Sequence, residues 1–460
     1  MVRSECKLSF IKAGAYKVSA LLFLTFLLVN NVSASVLVID SQVNVNEKRQ
    51  PEIHQTGGGQ TENQDNDSKI DIDNSSKSKR KAKSKTEFEF DADLILGTES
   101  YSEFYDKQLL GDNQLFLRRL KLGVELDRRF ENDNKLSIEM EVVAESLIDG
   151  DDKGLESDIS DFNIEYEFNN DLEVKFGQFK EPFGLERLAS PMDLPTNERS
   201  LTTSTFAPGR NRGIQFGQKF KKWTWSIGYF KDRDNDEITA YTGRITKLFL
   251  FNDTKSNAHY IHLGFAATER HLNGVEFRHK ESVSLFSGDN IARSERFNAD
   301  KLSLQGLEFV WNYNNFSIQS EAMQELVTDV NGFDYNYSGY YVQSSWILGG
   351  DKLFTDYDKG RRKSLKSKSI NSQTAKFKAS KAEISGIWEW VVRVNQTDLQ
   401  DNISGSLSGN QTTVLETGIN YYLSESNILK LSVYQTKVEG EVVGGSDQGK
   451  AASLRWVYSL

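Results

Sequence analysis

The chain has 460 residues, with 66 acidic side chains against 56 basic ones and a single cysteine, Cys6. A net charge of −10 argues against general nucleic-acid binding. Cys6 lies within the first 34 residues, and the chain beyond them has no thiol for a disulfide framework, a cysteine-based metal site or a nucleophile.

The first 34 residues have the composition of a cleaved export signal. Arg3, Lys7, Lys12 and Lys17 form a basic start, residues 18–29 are apolar, and Val32-Ser33-Ala34 supplies small residues for cleavage after Ala34. Cys6 precedes the apolar run, where a lipidated cysteine would follow it. Loss of these residues removes four bases and one acid and takes the charge to −13. Residues 35–85 are polar, rich in Gly, Ser and Asn, and end in the basic run 77–85. They show no period that could bury a face, which predicts a disordered periplasmic tail.

Beyond residue 86 one pattern recurs: about ten residues alternating apolar and polar, then a turn. In TEFEFDADLIL, Phe88, Phe90, Ala92, Leu94 and Leu96 share one face, and Glu87, Glu89, Asp91 and Asp93 the other. No later stretch approaches the roughly eighteen uninterrupted apolar residues of a membrane helix. The charged faces are too many for the exterior of a soluble sandwich. A closed transmembrane antiparallel β-barrel, lipid outside and water inside, needs this alternation and leaves no sheet edge. The fold class is therefore all-β.

Sixteen strands are expected: 86–97, 114–127, 134–147, 159–169, 171–180, 211–220, 222–232, 258–268, 271–282, 301–313, 315–327, 335–348, 384–396, 411–423, 427–440 and 450–459. Asn169-Asn170, Lys221-Lys222, Glu269-Arg270 and Asn314 read as tight periplasmic turns. Connections 98–113, 181–210, 233–257 and 283–300 read as long extracellular loops. Segment 349–383 is anomalous, being periplasmic by parity yet long and basic. Trp223, Trp225, Tyr335, Tyr337, Tyr340, Tyr341, Trp388, Trp390, Tyr421 and Tyr422 lie near strand ends, as interfacial aromatic girdles would. The last strand places Ala452, Leu454, Trp456, Tyr458 and Leu460 on one face. It resembles the C-terminal strand recognised for outer-membrane insertion, which usually ends in Phe or Trp rather than Leu.

Catalytic motifs are scarce. His259 and His262 are three apart on a strand, hence on opposite faces and unable to share a metal. Gly405-Ser-Leu-Ser-Gly409 has Leu407 where a nucleophile elbow needs serine. No cofactor is expected, and enzymatic chemistry is not.

The informative stretch is FGQFKEPFGLERLASPMDLPTNERSLTTSTFAPGRNRGIQFG, residues 176–217, which holds four of the five prolines. A thirty-residue loop so punctuated would fold into a wide barrel and narrow its bore. It resembles the inward third loop of the phosphate-selective porin O/P family, in its FGxFKxPFGLE, ERS and PGRNRG elements. The resemblance extends to FLRRLKLGVEL at 116–126, YYVQSSWILGGDKLF at 340–354 and GIWEWVVRVNQTDL at 386–399, and so spans residues 86–460. Membership would imply a sixteen-stranded homotrimeric barrel in the Gram-negative outer membrane, admitting phosphate-like anions. It would also imply that 349–383 is a periplasmic turn folded inward.

An anion in a narrow pore exchanges water for donors, and Arg suits phosphate because its planar fork engages two oxygens. Arg119, Lys121 and Glu125 are on the inward register of 114–127. Arg118 is on the lipid register and needs the membrane edge or a bulge to reach the lumen. The family carries a similar pair at its constriction. Further candidates are Lys180, Arg187, Arg199, Arg210 and Arg212 in the inward loop, and Arg293 and Arg296 in IARSERF. Each could instead pair with inward carboxylates such as Glu139, Glu141, Glu145, Glu165 and Glu167. One departure matters. Phosphate-selective members place a lysine some seven residues before the Glu-Arg pair, where this chain has Ser190-Pro191-Met192-Asp193. A general, weakly selective porin is therefore the alternative, and a non-transporting barrel a third.

Overall fold

A computed structural model describes residues 84–105, 114–146, 156–220, 222–252, 259–348, 353–358, 361–367, 386–401, 408–424, 426–440 and 447–460. The expected export signal, 1–34, and nearly all of the expected tail, 35–85, lie outside these residues. So do 402–407, which hold most of the Gly405–Gly409 segment.

Sixteen antiparallel strands close into a barrel. They are β1 (Lys85–Tyr101), β2 (Gln114–Arg129), β3 (Lys135–Ser146), β4 (Glu156–Glu167), β5 (Leu172–Lys180), β6 (Arg210–Lys219), β7 (Trp223–Lys231), β8 (Thr239–Asn252), β9 (His259–Phe277), β12 (Phe297–Tyr313), β13 (Phe316–Asp329), β14 (Asp334–Leu348), β17 (Ile387–Asp398), β18 (Asn410–Ser424), β19 (Asn427–Gly440) and β20 (Gln448–Ser459). Two separate hairpins are β10 (Lys280–Ser282) with β11 (Asn290–Arg293), and β15 (Leu353–Asp358) with β16 (Arg361–Ser367). Closure is made by β20 on β1, from Asp93↔Ser459 to Tyr101↔Ala451.

The alternation sorts side chains as expected. Phe88, Phe90, Leu122 and Leu126 are exposed on the outer wall, while Asp93, Glu99 and Glu141 are buried on the inner one. The count of sixteen is met through two compensating differences. The connection expected at 233–257 contains β8, and the strands expected at 258–268 and 271–282 are one, β9. Glu269-Arg270 is not a turn. Glu269 faces outward and accepts from Ser303, whereas Arg270 points inward to Glu181. The aromatic expectation also divides: Trp223, Tyr340, Trp388 and Trp390 are exposed on the outer wall, but Tyr335, Tyr337, Tyr341 and Tyr422 are buried.

One end of the barrel has short connections, at Asn169-Asn170, between Phe220 and Lys222, and at Asn314-Asn315, the periplasmic arrangement. Segment 349–386 opens at this end. Of the expected turn 349–383 the described part is the β15–β16 hairpin. Its β16 lies against the helix Leu185–Leu188 and the turn Pro191–Asp193 of the 181–209 loop, so this hairpin folds inward. The rest of that turn lies outside the described residues. At the other end the 278–296 loop bridges the mouth. It leaves from β9, the ninth strand, and its tip docks on β1, diametrically opposite. There Glu99 accepts from the backbone N–H groups of Phe286 (3.1 Å) and Ser287 (2.9 Å).

Apolar residues from this bridge (Val283, Leu285, Ile291), from Phe104 and Tyr105, and from Leu201 and Phe206 form a core inside the barrel. It rests on inward residues of the later strands, among them Leu302, Leu304, Val327, Tyr337, Val414 and Val438.

Candidate functional site: the constriction

The 181–209 loop crosses the lumen and is fastened to the wall along its length. Glu181 accepts from Thr242 of β8, Asn211 of β6 and Arg270 of β9. The Glu321 carboxylate on β13 accepts the N–H groups of Leu185 (2.7 Å) and Glu186 (2.9 Å). These open a short helix whose first donors have no partner within it. Asn420 on β18 donates to the carbonyl of Pro195 (2.7 Å), and Lys430 on β19 to that of Leu194 (2.6 Å). Ser200 caps the helix Leu201–Phe206, and Thr202 meets Asn395 on β17 (2.9 Å). Two wall glycines make room: a Cβ on Gly339 would lie 2.7 Å from Thr202, and one on Gly306 3.0 Å from Phe183. Met192 packs on the inner-wall cluster of Ile95, Ile347, Tyr422, Ile428 and Val457, so it anchors the loop there.

Opposite the loop, β2 carries an extra residue. The β1 ladder passes from Ile95↔Arg119 to Leu96↔Leu117, and β3 opposes Arg118 and Arg119 with Glu145 alone. This bulge turns both guanidiniums inward, which strict alternation forbids. Arg118 grips Glu198 of the loop with two bonds, Nε to Oε1 at 2.7 Å and Nη2 to Oε2 at 3.0 Å. It also meets Glu145 at 2.8 Å and lies 4.4 Å from the centre of the Phe286 ring. Arg119 is held loosely, 3.4 Å from Glu141 and 3.9 Å from Glu145.

Glu141 is shared. It lies 3.1 Å from Arg210 and 3.5 Å from Lys121, which also reaches Asp91 and Asp93. Arg210 adds Asp161. Lys180 donates to the carbonyl of Ala189 (3.1 Å). Arg187 donates to the carbonyl of Ala207, and Arg199 to those of Glu186 (3.2 Å) and Ala189 (3.0 Å). Among the described residues neither Arg187 nor Arg199 forms an ion pair. Burial pushes Arg199 down to about 9, and Arg187, Arg119 and Arg210 act in the same direction. These cations therefore feel one another.

Seven of the ten expected cations thus gather at the constriction: Arg118, Arg119, Lys121, Lys180, Arg187, Arg199 and Arg210. The other three do not. Arg212 is on the outward register of β6 with Ile214, half exposed and held by Asp236 (2.7 Å). Arg296 is at the exposed rim with Glu276 (3.0 Å), and Arg293 is in the bridge, its N–H donating to Asn410. Two basic anchors were not singled out from the sequence. Arg393 on β17 is buried between Glu416 (2.6 Å) and Glu186 (3.2 Å), and Arg455 on β20 between Glu99 (2.6 Å) and Glu198 (3.2 Å). Each is a basic residue on the inward register, between apolar residues of the outward one (Val392 and Val394 beside Arg393, Leu454 and Trp456 beside Arg455), which is the signal available in the sequence.

A polar cavity of about 500 Å³ lies beside the loop, lined by β2–β8 residues including Arg119, Lys121, Glu141, Lys175 and Arg210.

The phosphate-selective porin O and P family matches residues 97–459. The chain belongs to that family. Porin O of Pseudomonas aeruginosa is 22% identical over 338 residues, 64% of this chain and 72% of that protein. Among solved structures, in-vitro folded OmpT of Vibrio cholerae in its trimer form is similar with a TM-score of 0.50 at 10% identity, covering 82% of this chain and 99% of the other. An anion-selective porin from Comamonas acidovorans has a TM-score of 0.49 at 13% identity, covering 82% and 100%. The barrel is therefore an outer-membrane porin of Gram-negative type, a channel in kind.

Proposed function

We propose that this porin passes small anions, phosphate-like solutes among them, by passive diffusion between the 181–209 loop and the β2–β8 wall. The observation that carries the reading is a pair of loop guanidiniums, Arg187 and Arg199, that form no ion pair among the described residues. Glu141 is shared among Arg119, Lys121 and Arg210, while the guanidinium bonds of Arg187 and Arg199 go to backbone carbonyls. Donors so placed can replace the water an anion sheds, and their charge is independent of physiological pH. The phosphate preference in the family's description supports the same reading. The test is the reversal potential of single channels in a planar bilayer under a salt gradient. It should have the sign of anion preference, and phosphate should block chloride current. A cation-preferring potential would overturn the proposal.

Asp193 favours a second reading, a general porin biased toward anions but weak for phosphate. It occupies the neighbourhood where the sequence resemblance leads one to expect a lysine. Asp193→Lys should then strengthen phosphate block without altering assembly. We also propose a homotrimer, supported by the trimer form of the OmpT neighbour. The protein should migrate as a heat-modifiable trimer in mild detergent, and a monomer there would remove only this part.

A further inference from the structure

Glu198 puts a carboxylate where a passing anion would bind. Its two oxygens take the paired donors of Arg118 at 2.7 and 3.0 Å, the fork-to-fork geometry by which a guanidinium engages an oxyanion, and Arg455 closes a third side at 3.2 Å. The group is at the lumen surface: the side chains of Arg118 and Glu198 keep 22% and 18% of their exposure, against 1% for Arg455. Burial opposes ionisation of Glu198, but Arg118 and then Arg455 outweigh it and hold the carboxyl below its ordinary range. The carboxylate is thus a permanent occupant.

The backbone at this point does not depend on that side chain. The Glu198 carbonyl accepts from Arg393 Nη1 (3.1 Å) and from Thr196 Oγ1 (2.9 Å), and Asn197 donates to the Ser453 carbonyl (3.1 Å). Arg118 is steadied independently by Glu145 and by the Phe286 ring.

We propose that Glu198 is a specificity-determining residue: a carboxylate borne by the pore's own loop that occupies the Arg118 fork, withholds it from permeating anions and leaves selectivity to Arg119 and the loop arginines. This rests on the anion reading of the same constriction.

The test is Glu198→Gln in single-channel recordings, with inorganic phosphate as the probe. The amide keeps the shape and removes the charge. Freed Arg118 should then move the reversal potential further toward anion preference and lower the phosphate concentration for half-block about ten-fold, as a charge-assisted bond gained by the solute would. In the Arg118→Ala/Glu198→Gln double variant that gain should vanish. Arg118→Lys alone, which keeps a cation for Glu198, should leave half-block within about two-fold of the parent.

No gain in Glu198→Gln would overturn the proposal, and so would a gain that survives in the double variant. Higher conductance with loss of anion preference would do the same, because Glu198 would then only hold the loop. Should Glu198→Gln not assemble, Arg118→Lys decides, and a large loss of block there means that Arg118 binds the solute itself. If the parent shows no phosphate block, the phosphate reading fails on its own account, and the shift in reversal potential still tests Glu198.

Discussion

The two sides of the lumen use the same alternation to opposite ends. On β2–β5 the inward residues are Arg119, Lys121, Glu139, Glu141, Asp161 and Lys175, and the space beside them is a wet cavity of about 500 Å³. On β12–β19 they include Leu302, Leu304, Val327, Tyr337, Val414 and Val438, and that side is filled by the packed loops. A barrel of sixteen strands has no core of its own, since its backbone bonds all run around the wall. A loop that folds inward must find apolar partners there. Each fully buried Leu, Ile or Phe contributes about 1.5–3 kcal/mol, which offsets the ordering of the chain. The filled side thus holds the constriction loop in place, and the open side is left for the solute.

The comparison can be broken most severely on the filled side. Arg393→Ala leaves Glu416 and Glu186 buried without their cation, at a cost of about 3–5 kcal/mol. Urea unfolding in detergent should show that loss, and single channels should become larger and noisier as the loop detaches. An unchanged midpoint would mean that the loop is not fastened through this pair.

On the open side, Arg119→Ala should leave assembly intact, shift the reversal potential toward cations and weaken phosphate block. Lumenal substitutions tune selectivity, whereas charges placed in lipid perturb the fold. Arg119→Lys should keep the anion preference but lose part of the block, because a point charge lacks the fork. A smaller effect is expected of Phe286→Ala at the tip of the bridge. The cation–π contact with Arg118 is worth about 0.5–1 kcal/mol, so a modest rise in conductance with little change in selectivity should follow. Smallest of all, deletion of residues 35–83 with the export signal retained should leave conductance within the scatter of the parent, since that stretch has no apolar face to pack. A marked change would assign the tail a role in the pore.

Much of the barrel was legible because period two survives wherever one face meets lipid. It failed at two places for identifiable reasons. In β8 the strand follows the acidic DRDNDE and ends in the uninterrupted apolar run LFLF, so the alternation is confined to 240–246, with Tyr241 and Ile245 outside and Ala240, Thr242, Arg244 and Thr246 inside. In β9 two adjacent charges imitate a turn, although each serves a different face. The Arg118–Arg119 pair was legible, including the need for a bulge. The partners were not: Glu198 is eighty residues from Arg118 and Arg393 is two hundred and seven from Glu186, separations that only the path of the loop brings to a few ångströms. Nor does the pattern reveal that Met192 faces the wall, which depends on the path of the loop. The outward place of Arg212 was legible, because it shares the register of Ile214 and Phe216 in β6.

The bulge in β2 has a consequence for how such a channel can change. Arg118 has no opposite number on β1 and shares Glu145 with Arg119 on β3, so it is the one letter in that strand both ladders can spare. Loss of a single codon there would close the strand into regular pleating, with Arg119 still inward and every outer residue still against lipid. One in-frame deletion could therefore rewrite the charge of the passage while the envelope around it stays the same, a shorter route than replacing residues one at a time.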